Sequence, residues 1–166
     1  MRTPAKRMAM CAMMAALCVV LMLLGAVLEL GVYAAPLLGG LCFIPVGQVY
    51  GKKYHMILFA VSAILCFLFV PNIEQNLVFT GLLGWYPIVH PSLQKLPKWL
   101  RLPVKLLLFN AIIVGIEYLV MTVLVPEVMG GVLIWILLAL GNITFLAYDF
   151  MLPRLKHLLV RITKNL

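Results

Sequence analysis

Charged residues are scarce in this sequence of 166 residues. They make up 11% of the chain, against roughly 25% in an average soluble domain. Apolar residues account for 65%. A small soluble domain has a high ratio of surface to volume and needs polar residues to cover that surface. The composition therefore excludes an ordinary soluble domain and indicates a chain whose outer surface faces lipid.

Motifs of known enzyme, metal and nucleotide chemistry are also missing. The sequence contains no GxSxG, HExxH, P-loop or glycine-rich nucleotide motif. The cysteines form no CxxC pair and all lie inside apolar runs: Cys11, Cys18, Cys42 and Cys66. We therefore expect no metal site, no disulfide, no cofactor and no enzyme activity. A lipid-modifying enzyme that uses His90 and Asp149 is a less favoured alternative.

The basic residues do not form the continuous surface that nucleic acid requires. The net charge is +8, but its lysines and arginines lie in short segments between apolar runs. A nucleic-acid partner is therefore not expected.

Long apolar runs are what the sequence does contain. A membrane-spanning helix needs roughly 20 predominantly apolar residues. The runs predict an all-α, single-domain membrane bundle over residues 1–166. Its six transmembrane helices are predicted at about 8–28, 32–50, 54–70, 76–90, 103–125 and 130–151. Prolines and glycines in the second and fourth helices predict irregular backbone there.

The distribution of charge predicts the orientation of the bundle. With six spans, all thirteen basic residues fall on one side, whereas Glu29, Glu74 and Glu127 fall on the other. Lysine and arginine are enriched in cytoplasmic loops. We therefore expect a multi-pass protein of the cell membrane, with membrane lipid around it and both termini in the cytoplasm.

Polar residues inside the spans are candidates for function, because lipid cannot solvate them. Glu117 lies near the middle of the fifth predicted helix. Asn110 shares its face, since the two are seven residues apart. Trp135, Asn142 and Asp149 recur at the same spacing on the sixth helix. We expect the two polar stripes to face each other, with an ion pair between Lys105 and Asp149. Packing between helices is the competing explanation for the asparagines.

The predicted topology resembles the substrate-binding subunits of energy-coupling-factor vitamin transporters. Those are small six-helix membrane proteins with both ends inside the cell. Their first helix carries an Ala-x-x-x-Ala pattern, which here is matched by Ala12 and Ala16, with Ala9 on the same face. The resemblance implies that these three alanines dock a transmembrane coupling subunit, which works with partner ATPases.

The resemblance also implies an outer ligand site. Carried over to this sequence, it consists of the residues Tyr33, Gln75, Asn76, Glu117, Tyr118 and Trp135. A second set is assigned to structure or coupling and consists of His90, Lys105, Asn110, Asn142 and Asp149.

The chain also resembles an uncharacterised group of small bacterial membrane proteins, through Pro71-Asn72, Gly84-Trp85-Tyr86-Pro87, Phe109-Asn110 and Tyr148-Asp149. His90 departs from that group, in which a lysine often follows the Tyr-Pro segment. This resemblance implies no function.

The leading functional hypothesis is a substrate-capture subunit for uptake of a small vitamin-like molecule. The alternative is a non-transporting membrane scaffold or accessory subunit.

Overall fold

The computed structural model describes residues 4–28, 33–123 and 131–164. Side chains at 98, 121, 123, 131–137 and 156–164 lie outside the described residues. The described part of the chain is helical and contains no strand. Its elements, in chain order, are α1 (Pro4–Val27), α2 (Ala34–Cys42), α3 (Ile44–Tyr50), α4 (Lys52–Phe69), α5 (Ile73–Val78), a π-helical segment (Phe79–Leu83), α6 (Tyr86–Leu93), α7 (Lys98–Val123) and α8 (Gly131–Lys164).

Three of these helices are long and apolar enough to cross a membrane. They are α1, α4 and the Trp99–Val120 portion of α7. The stretch Ala34–Tyr50 is a shorter apolar segment. The all-helical prediction is therefore confirmed for the described residues, while the count of six membrane spans stays a prediction.

The second predicted helix is irregular, as expected, and is divided into α2 and α3 at Phe43. Two predicted helix boundaries differ from the structure. The fifth begins at Lys98 instead of 103. The sixth was expected to end near 151, before Pro153, but α8 continues to Lys164. A single proline removes one backbone hydrogen bond, and the leucine, lysine and arginine residues around it favour helix.

Local sequence explains where α3, α4 and α5 begin and end. Gly51 separates α3 from α4 with a φ of 90°, which glycine adopts without steric cost. After α4, the Asn72 side chain accepts a hydrogen bond of 3.0 Å from the Gln75 backbone N–H and caps α5. Asparagine is among the preferred residues at this position.

The fourth predicted helix is irregular, as expected, and its loosened backbone is satisfied inside the protein. It comprises α5, the π-helical segment and α6. The Trp85 indole N–H donates to the Gly81 carbonyl at 2.8 Å, and the Tyr148 hydroxyl donates to the Leu83 carbonyl at 3.3 Å. Irregular backbone at membrane depth requires such internal partners. The indole N–H of Trp85 is therefore used by the fold.

Two apolar clusters hold the helices together. The first is formed mainly by α1, α2 and α4, with Cys18, Met22 and Cys66 fully buried. The second joins α3, the π-helical segment, α6, α7 and α8. Within it, the rings of Phe109 and Phe145 stack with centroids 4.5 Å apart. All four cysteines are free thiols.

The bundle has two ends of different chemistry. We call the end where α1 begins and α3 meets α4 the basic end, since Arg7 lies over the Tyr50 ring there, 6.0 Å from its centroid. The opposite end, which holds Glu74 and Glu117, is called the acidic end.

Gly40 packs closely against the π-helical segment and α8 and provides a test of the packing. A Cβ at this position would collide with the Leu83 carbonyl oxygen and lie 2.7 Å from the Tyr148 hydroxyl. We expect Gly40→Ala to lower the free energy of unfolding by about 1–3 kcal/mol, as overpacking does. Thermal unfolding of the purified protein in a fixed detergent measures this.

Gly115→Ala is the matched control, because its Cβ would meet no heavy atom within 4 Å. It should be neutral or gain up to about 1 kcal/mol from helix propensity. Equal melting temperatures for both variants would contradict the packing described here.

Candidate functional site

The densest polar cluster surrounds Asp149 near the basic end. Lys105 donates to both carboxylate oxygens, at 2.7 Å each. The Tyr86 hydroxyl donates to Oδ1 at 2.5 Å, and His90 Nε2 lies 3.2 Å from the same oxygen. Helices α6, α7 and α8 each contribute to this Asp149 cluster. The expected proximity of His90, Lys105 and Asp149 is therefore observed, and Tyr86 is the member that sequence reasoning missed.

His90 Nε2 has two neighbours at the same distance. It lies 3.2 Å from the Gln94 side-chain nitrogen and 3.2 Å from Asp149. A carboxylate is a stronger acceptor than an amide oxygen, so we assign the Nε2–H to Asp149.

Lys105 is buried and therefore needs the negative charge of Asp149 beside it. Lys105 is only 4% exposed, and an isolated ammonium ion inside a membrane is costly. The carboxylate of Asp149 supplies the opposite charge, while tyrosine and histidine fill its remaining acceptor positions. The Asp149 cluster thus connects α6, α7 and α8.

Asn110 and Asn142 form a separate pair between α7 and α8. Each amide nitrogen donates to the oxygen of the other, at 3.0 and 2.8 Å. Each also donates to a carbonyl of its own helix, Leu106 or Leu138. Such amide pairs stabilise helix contacts in membranes. The pair is saturated, so it offers no donor to a ligand.

Only part of the predicted outer ligand site comes together at the acidic end. The Tyr33 hydroxyl donates to Glu117 Oε1 at 2.9 Å and so links the residue before α2 with α7. Glu74 in α5 is close enough that the Glu117 charge acts on it. Sequence reasoning missed Glu74 because it lies outside the predicted spans.

Two of the other predicted ligand residues are bonded inside the bundle. Gln75 is buried and donates to the Met22 carbonyl at 2.7 Å, while Asn76 donates to the Val70 carbonyl at 3.0 Å. Both therefore serve helix packing. Tyr118 is 71% exposed on the outside of α7, because it follows Glu117 and points to a different face. Trp135 belongs to α8, but its side chain lies outside the described residues.

The three alanines predicted to dock a partner lie on an open face of α1. Ala9, Ala12 and Ala16 are all exposed, whereas Ala15 is buried in the first apolar cluster. A row of small residues lets another helix approach closely. Their role in docking stays a prediction.

No protein-family model, curated protein or solved structure matches this chain. Within the described residues, no group of three or more potential ligands could hold a metal ion.

The Asp149 cluster yields a prediction about stability. Asp149→Asn should lower the free energy of unfolding by about 3–5 kcal/mol, because Lys105 would remain buried without its counter-charge. The double variant Lys105→Met with Asp149→Leu removes both charges and should recover more than half of that loss. Chemical unfolding in mixed micelles compares the two. A double variant no more stable than Asp149→Asn would contradict a charge-compensation role.

The acidic end yields a prediction about pH. Burial, and secondly the charge of Glu117, raise the pKa of Glu74 above its ordinary value. The folded protein thus binds this proton more tightly than the unfolded chain does, so stability falls as pH rises through the raised pKa. Glu74→Gln removes that penalty and should raise the melting temperature at pH 7.5.

At pH 4, where Glu74 is protonated in the folded protein, the advantage of Glu74→Gln should vanish. Glu74→Asp keeps the charge and is the control at both pH values. A gain of the same size at pH 4 and pH 7.5 would show that the Glu74 charge is not the cause.

Proposed function

We propose that this chain is a multi-pass membrane protein that captures a small vitamin-like molecule for uptake, energised by a partner ATPase complex. Six spans place both termini in the cytoplasm and the acidic end outside the cell. This orientation follows the positive-inside rule, since the lysines and arginines then lie in the cytoplasm.

The observation that carries the proposal is the convergence of Tyr33, Glu74 and Glu117 at the acidic end. The Tyr33 phenol, before α2, contacts the Glu117 carboxylate of α7, and the Glu74 carboxylate of α5 is near enough to feel the charge of Glu117. No ion pair among the described residues includes either glutamate. Carboxylates in such surroundings favour a ligand that carries positive charge or several hydrogen-bond donors.

The open face of α1 supports the transport role. Ala9, Ala12 and Ala16 are exposed together, so the backbone of a second membrane helix can approach closely at these three positions. The chain has no nucleotide motif of its own. Energy for uptake would therefore come from ATPase subunits joined through such a helix.

One observation favours the alternative of a non-transporting scaffold. Gln75 and Asn76 were expected to bind ligand, yet both donate to backbone carbonyls inside the bundle. If Glu117 and Tyr33 serve packing in the same way, the acidic end holds helices together and binds nothing. Ligand binding decides between these functions.

The ligand prediction concerns Glu117. We expect a cationic member of a panel of water-soluble vitamins to raise the melting temperature of the purified protein. Glu117→Gln should weaken its binding about 10- to 100-fold, since a hydrogen bond to a charged group is worth about 1.5–3 kcal/mol. Isothermal titration measures the affinity.

Thr122→Val is the control, because the partners of the Thr122 hydroxyl among the described residues are backbone carbonyls of its own helix. Unchanged affinity in Glu117→Gln would remove Glu117 from the site. Failure of every cationic ligand to bind would favour the scaffold.

The docking prediction concerns Ala12. We expect ATPase and transmembrane coupling subunits to co-purify with the tagged protein from its native membrane in mild detergent. Ala12→Trp should abolish this, because the large indole separates the helices. Leu107→Trp is the control, since Leu107 is exposed on α7, away from α1. Equal recovery of partners with both variants would contradict docking on α1.

A further inference from the structure

A groove between α7 and α8 opens beside the Asp149 cluster at the basic end. Its volume is about 170 Å³, several times the roughly 30 Å³ that one water molecule occupies in the liquid. Its lining combines charged and apolar side chains: Arg101, Leu102, Lys105, Phe145, Leu146 and Asp149. We call it the α7–α8 groove.

The charge of the groove is not balanced by the residues that line it. Asp149 already accepts hydrogen bonds from Lys105 and Tyr86 and pairs with His90. The negative charge of Asp149 therefore neutralises the positive charge of Lys105, and the positive charge of Arg101 remains without a counter-charge among the lining residues. The chain has five acidic residues, and the two other described ones, Glu74 and Glu117, lie at the acidic end. No ion pair in the described part of the chain includes Arg101.

Arg101 is held in place by the backbone. One guanidinium nitrogen, Nη2, donates to the carbonyls of Gln94 and Leu96, at 2.7 and 3.3 Å. The Nε atom is buried without a hydrogen-bond partner among the described residues. The group is thus a positioned cation with unused hydrogen-bonding capacity. Planar guanidinium groups bind phosphate oxygens in a paired arrangement.

The surroundings place the groove at the level of lipid headgroups. Arg101 lies in the first turn of the Trp99–Val120 segment, which is apolar enough to span a membrane. Trp99 next to it is 92% exposed, and tryptophan is enriched at the membrane–water interface. Lipid phosphates lie at that depth, and basic pockets between membrane helices bind such headgroups.

We propose that the α7–α8 groove is a phosphate-binding site. Arg101 binds the phosphate group, and Lys105 contributes the one N–H that it does not donate to Asp149. The phosphate belongs either to the headgroup of an anionic lipid or to a free phosphate ion. The site is distinct from the acidic end and does not depend on the uptake function proposed above.

The test uses the full-length protein in an uncharged detergent with three probes: phosphatidylglycerol, phosphatidylcholine and inorganic phosphate. Native mass spectrometry counts retained lipid, and thermal unfolding reports protection by each probe. We expect phosphatidylglycerol to be retained by the natural protein. Arg101→Gln should lower retention about tenfold, the effect of one lost charged hydrogen bond.

Two pairs of variants separate the groove from general charge and from damage to the fold. Lys95→Gln removes the same charge from an exposed loop residue outside the groove. Leu102→Trp fills the groove and leaves every charge in place, so it tests the site even if Arg101→Gln unfolds. Leu107→Trp adds the same bulk on α7 outside the groove.

Each outcome bears on the proposal. Retention that falls in Arg101→Gln and Leu102→Trp, but not in Lys95→Gln and Leu107→Trp, supports the site. Protection by phosphatidylglycerol without protection by inorganic phosphate assigns a lipid. Arg101-dependent protection by inorganic phosphate assigns a free anion. Equal retention in Leu102→Trp and the natural protein, or an equal loss in Lys95→Gln and Arg101→Gln, would overturn the proposal.

Discussion

A bilayer interior offers no hydrogen-bond partner, so polar groups at membrane depth must find partners within the chain. The Asp149 cluster meets this requirement most fully, because one carboxylate accepts from α6 and α7 while belonging to α8. The same requirement explains the Asn110–Asn142 pair and the bonds from Trp85 and Tyr148 to the π-helical segment. Hydrogen bonds and ion pairs between helices thus hold the basic half of the bundle together.

In the part of the chain that the structure describes, the carboxylates at the acidic end have fewer hydrogen-bond partners than Asp149 has. Glu117 receives one hydrogen bond, from Tyr33, and shares its surroundings with the like charge of Glu74. Like charges that lie close together destabilise each other. An arrangement that costs stability at one end, in a bundle that compensates charge carefully at Asp149, is typical of a binding site. This contrast is the physical reason for proposing substrate capture over a purely structural role.

Composition predicted the helical class, and residue spacing predicted which polar residues share a helix face. Both features depend on local sequence patterns. The Lys105–Asp149 contact was expected because both residues lie near the same end of neighbouring helices. The π-helical segment and the inward direction of Gln75 and Asn76 could not be predicted. They depend on which carbonyls need partners after packing, such as those of Met22 and Val70. The presence of Tyr86 in the Asp149 cluster could have been predicted, since Tyr86 lies one helical turn before His90 and shares its face.

Membrane insertion with the basic end in the cytoplasm underlies both proposed sites, and cysteine labelling tests it directly. The four natural cysteines are first replaced by alanine. Lys95→Cys then marks the basic end, and Ile73→Cys marks the acidic end. A membrane-impermeant maleimide should label position 73 in intact cells and position 95 only after the membrane is permeabilised. Labelling of position 95 in intact cells would contradict the orientation and the assignment of the acidic end to the outside.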